Sequence, residues 1–195
     1  QFRQVDIDLA VETSGTEQGA VQNVRPVGCS QNNHPRIGLE TVHLGQIDGI
    51  HAIYIAKEES ENSVRLVSMV GKRIPLYCSG VGKALLADMS NDEIKSIWDK
   101  SDKTPLTEHT ITDFSKFMQE IEETRKRGYA MDNEEELNGV ICVGAPIFNY
   151  TGYPCGSIWI SGPKDRLTEE QLRSTVQIVK EIAGQISAEL GYRRV

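Results

Sequence analysis

Residues 128–139 read Gly-Tyr-Ala-Met-Asp-Asn-Glu-Glu-Glu-Leu-Asn-Gly, an acidic stretch bounded by glycines, and an apolar run over 140–148 follows directly. A second apolar run, 155–161, ends in Ser161-Gly162-Pro163, and the Asn149-Tyr150-Thr151-Gly152 between the runs is turn chemistry. Two strands joined this way pair as an antiparallel hairpin that holds the acidic loop at one end, and loops held by rigid scaffolds are where binding residues sit. The side-chain period of two sorts the hairpin by face. Ile141, Val143, Ala145 and Ile147 share one face, as do Ile158 and Ile160 on the partner strand, and these are core candidates. The opposite faces carry Cys142 and Gly144 on one strand and Ser157, Trp159 and Ser161 on the other. Small and polar groups there leave space above the sheet, enough to floor a pocket.

The rest of the chain predicts more sheet and four helical stretches. Thr41-Val42-His43-Leu44-Gly45 and, past Asp48-Gly49, His51 to Ala56 read as two strands across a turn, with a third expected over Val64 to Val70. Ser79-Gly80-Val81-Gly82 leads into a helix with Ala84, Leu85 and Leu86. Ser90 with Glu93 forms a capping box for a helix carrying Ile94, Ile97 and Trp98. Asp113 caps a longer helix with Phe114, Phe117, Met118 and Ile121 on one face, ended by Gly128. Thr168 with Gln171 opens the last helix, whose stripe of Leu172, Val176, Val179, Ala183, Ile186 and Leu190 runs to Gly191. The expected class is α+β. Residues 14–38 are rich in Gly, Asn, Gln, Ser and Pro without periodicity and read as loop or linker. The division expected is therefore an N-terminal extension over 1–38 and one domain over 39–195, since 195 residues fill one good-sized core.

A net charge of −7 argues against nucleic acid held by this chain's own phosphate contacts, which need a basic face. No signal-peptide pattern and no apolar run near the ~20 residues of a membrane helix occur, so the expectation is a soluble, cytoplasmic protein. Cys29, Cys78, Cys142 and Cys155 form no C-x-x-C pair and are too few for a disulfide framework, which leaves free thiols and no expected metal site.

Gly80-Val81-Gly82-Lys83 fails as a phosphate loop, because Tyr77 stands where the first glycine belongs and Ala84 where Ser or Thr belongs after the lysine. What survives is a helix start whose first amides are unpaired and attract a carboxylate, although on this feature alone an ordinary glycine turn is the better explanation. Glu134, Glu135 and Glu136 read as solvated charge. Asp132 differs, because it follows Tyr129 and Met131 and lies close to where the pocket should open. His43 and His51 can be neighbours on paired strands, but no third ligand is spaced to make a metal site with them. Cys142 points to the pocket face as a nucleophile, a ligand contact or a small buried apolar group.

Residues 73–87, with Cys78-Ser79-Gly80-Val81-Gly82-Lys83 at their centre, residues 127–135, residues 139–148 and Ser161-Gly162-Pro163 together resemble the effector-binding domain of the IclR family of bacterial transcription regulators. The likeness runs in family order from about Glu40 to Gly191. The Thr41 to Gly45 strand looks most like the branch that senses 2-keto-3-deoxygluconate. The resemblance implies a GAF/PAS-like antiparallel sheet flanked by helices, with a small organic acid held beneath a loop and no cofactor. It implies that Gly80 and Val81 offer backbone amides to the carboxylate and that Asp132 and Ser161 offer side-chain hydrogen bonds. Cys142 would line the same cavity, with Met69 and Val140 as apolar wall. It also implies DNA contact only through a winged helix-turn-helix outside these residues, and a homodimer or homotetramer. Trp159 stands where some members carry a small serine, so it fills space or stacks on the ligand. The helix that usually precedes the Glu40 strand is not legible in residues 28–36. Two rival readings are a GAF-type redox enzyme, similar to methionine sulfoxide reductases, using Cys142 or Cys78, and an oligomerisation module with an empty pocket.

Overall fold

The computed structural model describes residues 8–11, 24–27, 40–60, 62, 66 and 68–193. In chain order the strands are β1 (Asp8–Val11), β2 (Val24–Val27), β3 (Thr41–Asp48), β4 (His51–Glu58), β5 (Arg73–Pro75), β6 (Ala130–Asn133), β7 (Val140–Phe148) and β8 (Pro154–Pro163). The helices are α1 (Gly80–Ala87), α2 (Asn91–Lys100), α3 (Phe114–Arg127) and α4 (Glu169–Glu189). β1 and β2 pair antiparallel with each other, so a strand occupies part of the stretch that composition alone makes a loop. The other strands form a six-stranded antiparallel sheet in the order β5-β4-β3-β8-β7-β6. The chain is α+β, as expected.

Helix ends sit where the capping residues put them. Ser90 with Glu93 and Thr168 with Gln171 form complete capping boxes, and Asp113 accepts from the Lys116 amide at 2.9 Å. The third strand departs from expectation. Residues 64, 65 and 67 of the expected 64–70 strand lie outside the described residues, and Ser68 to Val70 are not extended into a ladder. Gly71, at φ +86°, donates to the Tyr54 carbonyl, and Tyr54 donates to Lys72, so the chain turns there and pairs with β4 only from Arg73. A positive φ is a turn position, and it cuts the apolar run short.

Both faces of the sheet are covered. On one, Val42, Leu44, Ala145, Ile147, Ile158 and Ile160 pack on Val179, Ala183 and Ile186 of α4. On the other, Ala52, Tyr54, Ile74, Cys142 and Trp159 pack beneath Val81 and Leu85 of α1, Ile94 and Trp98 of α2, and Phe117 and Ile121 of α3. Trp159, on the face read as small and polar, is itself core.

A cation is buried in this second layer. Lys83, on α1, is 0% exposed, bonded to Glu135 and 3.6 Å from Glu120 of α3, which also holds Arg127 at 2.5 Å. Glu135 is 6% exposed and its Oε2 finds no hydrogen-bond partner among the described residues, so the lysine is what offsets its burial. Replacing Lys83 by Met should cost about 3–5 kcal/mol in urea unfolding, and pairing it with Glu135→Leu should recover most of that loss. Lys164→Met removes the half-exposed partner of Glu134 and should cost under about 1 kcal/mol. Equal losses in the two single variants would contradict this ranking.

Candidate functional site

Register places the candidate side chains in one row across the sheet. Asp132 of β6 pairs with Cys142 of β7, Cys142 with Ser161 of β8, and Ser161 with Thr41 of β3. In the adjoining row, Ala130 pairs with Gly144, Gly144 with Trp159, and Trp159 with His43. The first turn of α1 lies across these rows. A Cβ on Gly80 would stand 3.3 Å from Cβ of Cys142 and 3.7 Å from Cβ of Asp132, and one on Gly144 would stand 3.3 Å from the Gly80 carbonyl oxygen. Glycine at both positions lets the backbones cross this closely without crowding.

Ser79 caps that turn. Its hydroxyl accepts from the Gly82 amide at 3.2 Å and donates to the Pro75 carbonyl at 2.6 Å, and its carbonyl takes the first helical bond from Lys83. The Gly80 and Val81 amides have no hydrogen-bond partner among the described residues. They are the unpaired donors of a helix N-terminus, where the backbone dipole favours an anion.

A cavity of about 70 Å³ opens there, lined by Ser79, Gly80, Val81, Asp132, Val140, Cys142, Trp159 and Ser161 together with Tyr54, Ser68, Lys72 and Glu136. Seven of the eight sequence-derived candidates therefore meet around one space. Met69 does not: it is 68% exposed in the turn before Gly71, and its neighbour Ser68 lines the cavity instead. A larger groove of about 520 Å³ between α1, α3, β7 and α4 contains none of the candidates, and its Lys180 is spent on the Arg127 carbonyl that ends α3, at 2.9 Å. The smaller cavity is the one that has the unpaired amides and the buried polar row.

Asp132 is 1% exposed and accepts from the Glu135 amide at 2.7 Å. Burial, with the Glu135 charge adding, pushes its carboxyl up to about 7, against the pull of Lys83 and of that amide. Burial also drives the Cys142 thiol well above its ordinary value, the Asp132 charge reinforcing it, although the Ser161 hydroxyl donates to its sulfur at 3.1 Å. Cys78, 0% exposed, is pushed up to about 12, again chiefly by burial. A redox thiol is accessible and has a lowered pKa. Both candidate thiols have the opposite environment, and the redox reading finds no support. Cys29 lies outside the described residues.

Two further expectations are corrected. The glutamates of the acidic loop are not free solvated charge: Glu135 is buried against Lys83, while Glu134 and Glu136 are partly exposed, Glu134 paired with Lys164 and Glu136 3.9 Å from Lys72 at the cavity. The histidines are not neighbours either, because register sets His43 opposite Lys57 and His51 opposite Asp48, at the two ends of the β3–β4 ladder. Among the described residues no group of three or more His, Cys, Asp or Glu is placed to hold a metal, and no helix is long and apolar enough to cross a membrane. Of the lining residues the sequence reading missed, Tyr54 had a signal, since alternation puts it on one face with Ala52. Lys72 and Glu136 had none.

Comparison with known proteins gives a consistent result. The model of the bacterial transcriptional regulator IclR C-terminal family matches residues 36–188. The HTH-type transcriptional regulator KdgR of Escherichia coli is 36% identical over 176 residues, covering 89% of this chain and 67% of its own length. The HTH-type transcriptional repressor AllR of the same species is 34% identical over 154 residues, covering 79% and 57%. The crystal structure of Thermotoga maritima IclR superposes with a TM-score of 0.76 at 42% identity, covering 79% of this chain and 62% of that one. The chain thus spans between 57% and 67% of the length of these relatives. With the family's model matched over most of its residues, and its fold shared with a solved member, this chain belongs to the IclR C-terminal family of bacterial transcriptional regulators.

Proposed function

We propose that residues 39–195 are the sensing part of a bacterial transcription regulator, and that the cavity beneath the acidic loop binds a small organic acid. The observation that carries this reading is the meeting of two unpaired helix amides with a buried row of Asp132, Cys142 and Ser161. The ligand carboxylate sits on the Gly80 and Val81 amides, Ser161 donates to it, and Cys142 and Val140 supply wall. The relatives named as HTH-type regulators support DNA contact by a domain outside these residues, as does the net charge of −7. We place the protein in the cytoplasm as a homodimer or homotetramer.

The proton on Asp132 is part of the mechanism. A ligand carboxylate and an ionised Asp132 are like charges in a buried space, so the complex keeps one proton between them, as paired carboxylates do. The signal then has a route out of the cavity. Asp132 accepts from the Glu135 amide, Glu135 holds Lys83, and Lys83 lies 3.6 Å from Glu120 on α3. A ligand that favours one arrangement of loop and helix shifts the population toward it, and the DNA-binding part responds to that shift.

Short 2-oxo acids should raise the melting temperature of the chain, and Asp132→Ala and Ser161→Ala should each abolish the shift. Undiminished shifts in both variants would move the site elsewhere. Because binding keeps a proton, affinity measured by calorimetry should fall roughly tenfold per pH unit once pH passes about 7. A flat profile from pH 6 to pH 9 would exclude the shared proton. The ligand-free chain carries the same signature. The folded pKa of Asp132 lies above the unfolded value of about 3.9, so the folded state holds an extra proton between those values and stability drops as pH rises through that window. Asp132→Asn keeps the oxygen acceptor and removes the charge, and its advantage in melting temperature over the parent should be larger at pH 8 than at pH 5.

A further inference from the structure

We propose that Trp159 sets the length of acid the cavity accepts, so that the chain senses a short 2-oxo acid and excludes a six-carbon sugar acid. This rests on the carboxylate reading of the same cavity and adds the size class of the ligand.

The indole is a fixed wall. Trp159 is 2% exposed, and its six-membered ring lies against the backbone at Gly45, where a Cβ would stand 2.8 Å from Cη2 and 2.9 Å from Cζ3. At its other end, a Cβ on Gly144 would stand 3.1 Å from its Cβ. The glycines thus make the space that the ring fills. His43 stacks on it with centroids 5.1 Å apart and planes 18° from parallel, and Tyr54 packs against it at 5.1 Å and 41°. His43 is itself tied to the Ser68 hydroxyl at 2.8 Å, and burial holds its ring neutral, its pKa lowered to about 3. With Gly45 beneath and two aromatic rings beside it, the indole is held on every side but the one that faces the cavity, and a shift of the ring away from the cavity forces shifts in packed neighbours.

The space left over is small. The cavity's 70 Å³ corresponds to roughly five water molecules by the volume one buried water needs, which matches an acid of about five or six non-hydrogen atoms. The carboxylate on the α1 amides takes up half of that. What remains holds a carbonyl and at most one further carbon, and the polyol tail of a sugar acid does not fit without displacing the indole. The likeness of β3 to the 2-keto-3-deoxygluconate branch and the volume of this cavity therefore point to different ligands, and Trp159 is the residue that separates them.

Calorimetric titration of the chain with glyoxylate, pyruvate, 2-oxobutyrate, 2-oxovalerate and 2-keto-3-deoxygluconate tests this. The parent should bind the two shortest acids roughly tenfold or more tighter than the two longest, the scale at which a hydrophobic wall rejects an extra methylene. Trp159→Ala should invert that order, and Trp159→Phe should shift the preference by about one carbon. If Trp159→Ala does not fold, the parent series and Trp159→Phe decide alone. Long acids binding the parent as tightly as short ones would overturn the size limit while leaving the carboxylate site standing. A parallel loss for every acid in the Trp159 variants would overturn it too, making the indole a stacking platform. If no acid binds any form, the carboxylate reading falls, and the size limit with it.

Discussion

The ammonium of Lys83 is buried without exposure, and this one fact constrains the architecture around it. A charge removed from water is tolerated only beside a countercharge, so a carboxylate has to come to it. Glu135 does, and the loop after β6 is pinned to α1 as a result. Asp132 lies three residues earlier and accepts from the Glu135 amide, which fixes the carboxyl at the cavity wall rather than at the surface. Glu120 extends the cluster to α3. One buried cation therefore aligns the helix that presents free amides, the loop that fixes the Asp132 carboxyl of β6 and the helix packed behind both.

Local features of the chain were legible because their causes are local. Ser90 with Glu93 and Thr168 with Gln171 satisfy helix amides within one turn, so three residues of spacing were enough to place two helix starts. The alternation along β7 and β8 separated the α4-facing set from the cavity-facing set for the same reason, since period two is a property of each strand by itself. The cavity-facing positions of Cys142, Trp159 and Ser161 followed from that alternation, whereas Gly80, Val81 and Asp132 join the same cavity lining through contacts between elements, which the family resemblance implied and spacing alone did not.

The illegible parts depend on distant partners. A run of three glutamates looks like solvated charge until the lysines that meet it are known, and Lys83 lies 52 positions away and Lys164 lies 30. Tyr54, Ser68 and Lys72 reach the cavity only because β3 pairs with β8, which joins two separate hairpins edge to edge. Met69 went astray for a related reason. A strand expected over 64–70 would have carried it inward, but the turn at Gly71 ends that path and leaves its side chain in water.

The sheet also works as a partition. On β7 and β8, Ala145, Ile147, Ile158 and Ile160 serve the layer under α4 while Val140, Cys142 and Trp159 serve the layer around the cavity, and parity along each strand separates them up to the register shift at Ile147/Phe148, past which Cys155 also joins the α4 layer. Moving one residue in or out of either strand would exchange the two sets, setting isoleucines over the cavity and Cys142, Trp159 and Ser161 against α4. Drift in this part of the chain is thereby channelled into replacements and away from insertions or deletions. The lining of the cavity can then diversify on one side of a strand while the neighbours that hold the scaffold together, one position along, stay as they are.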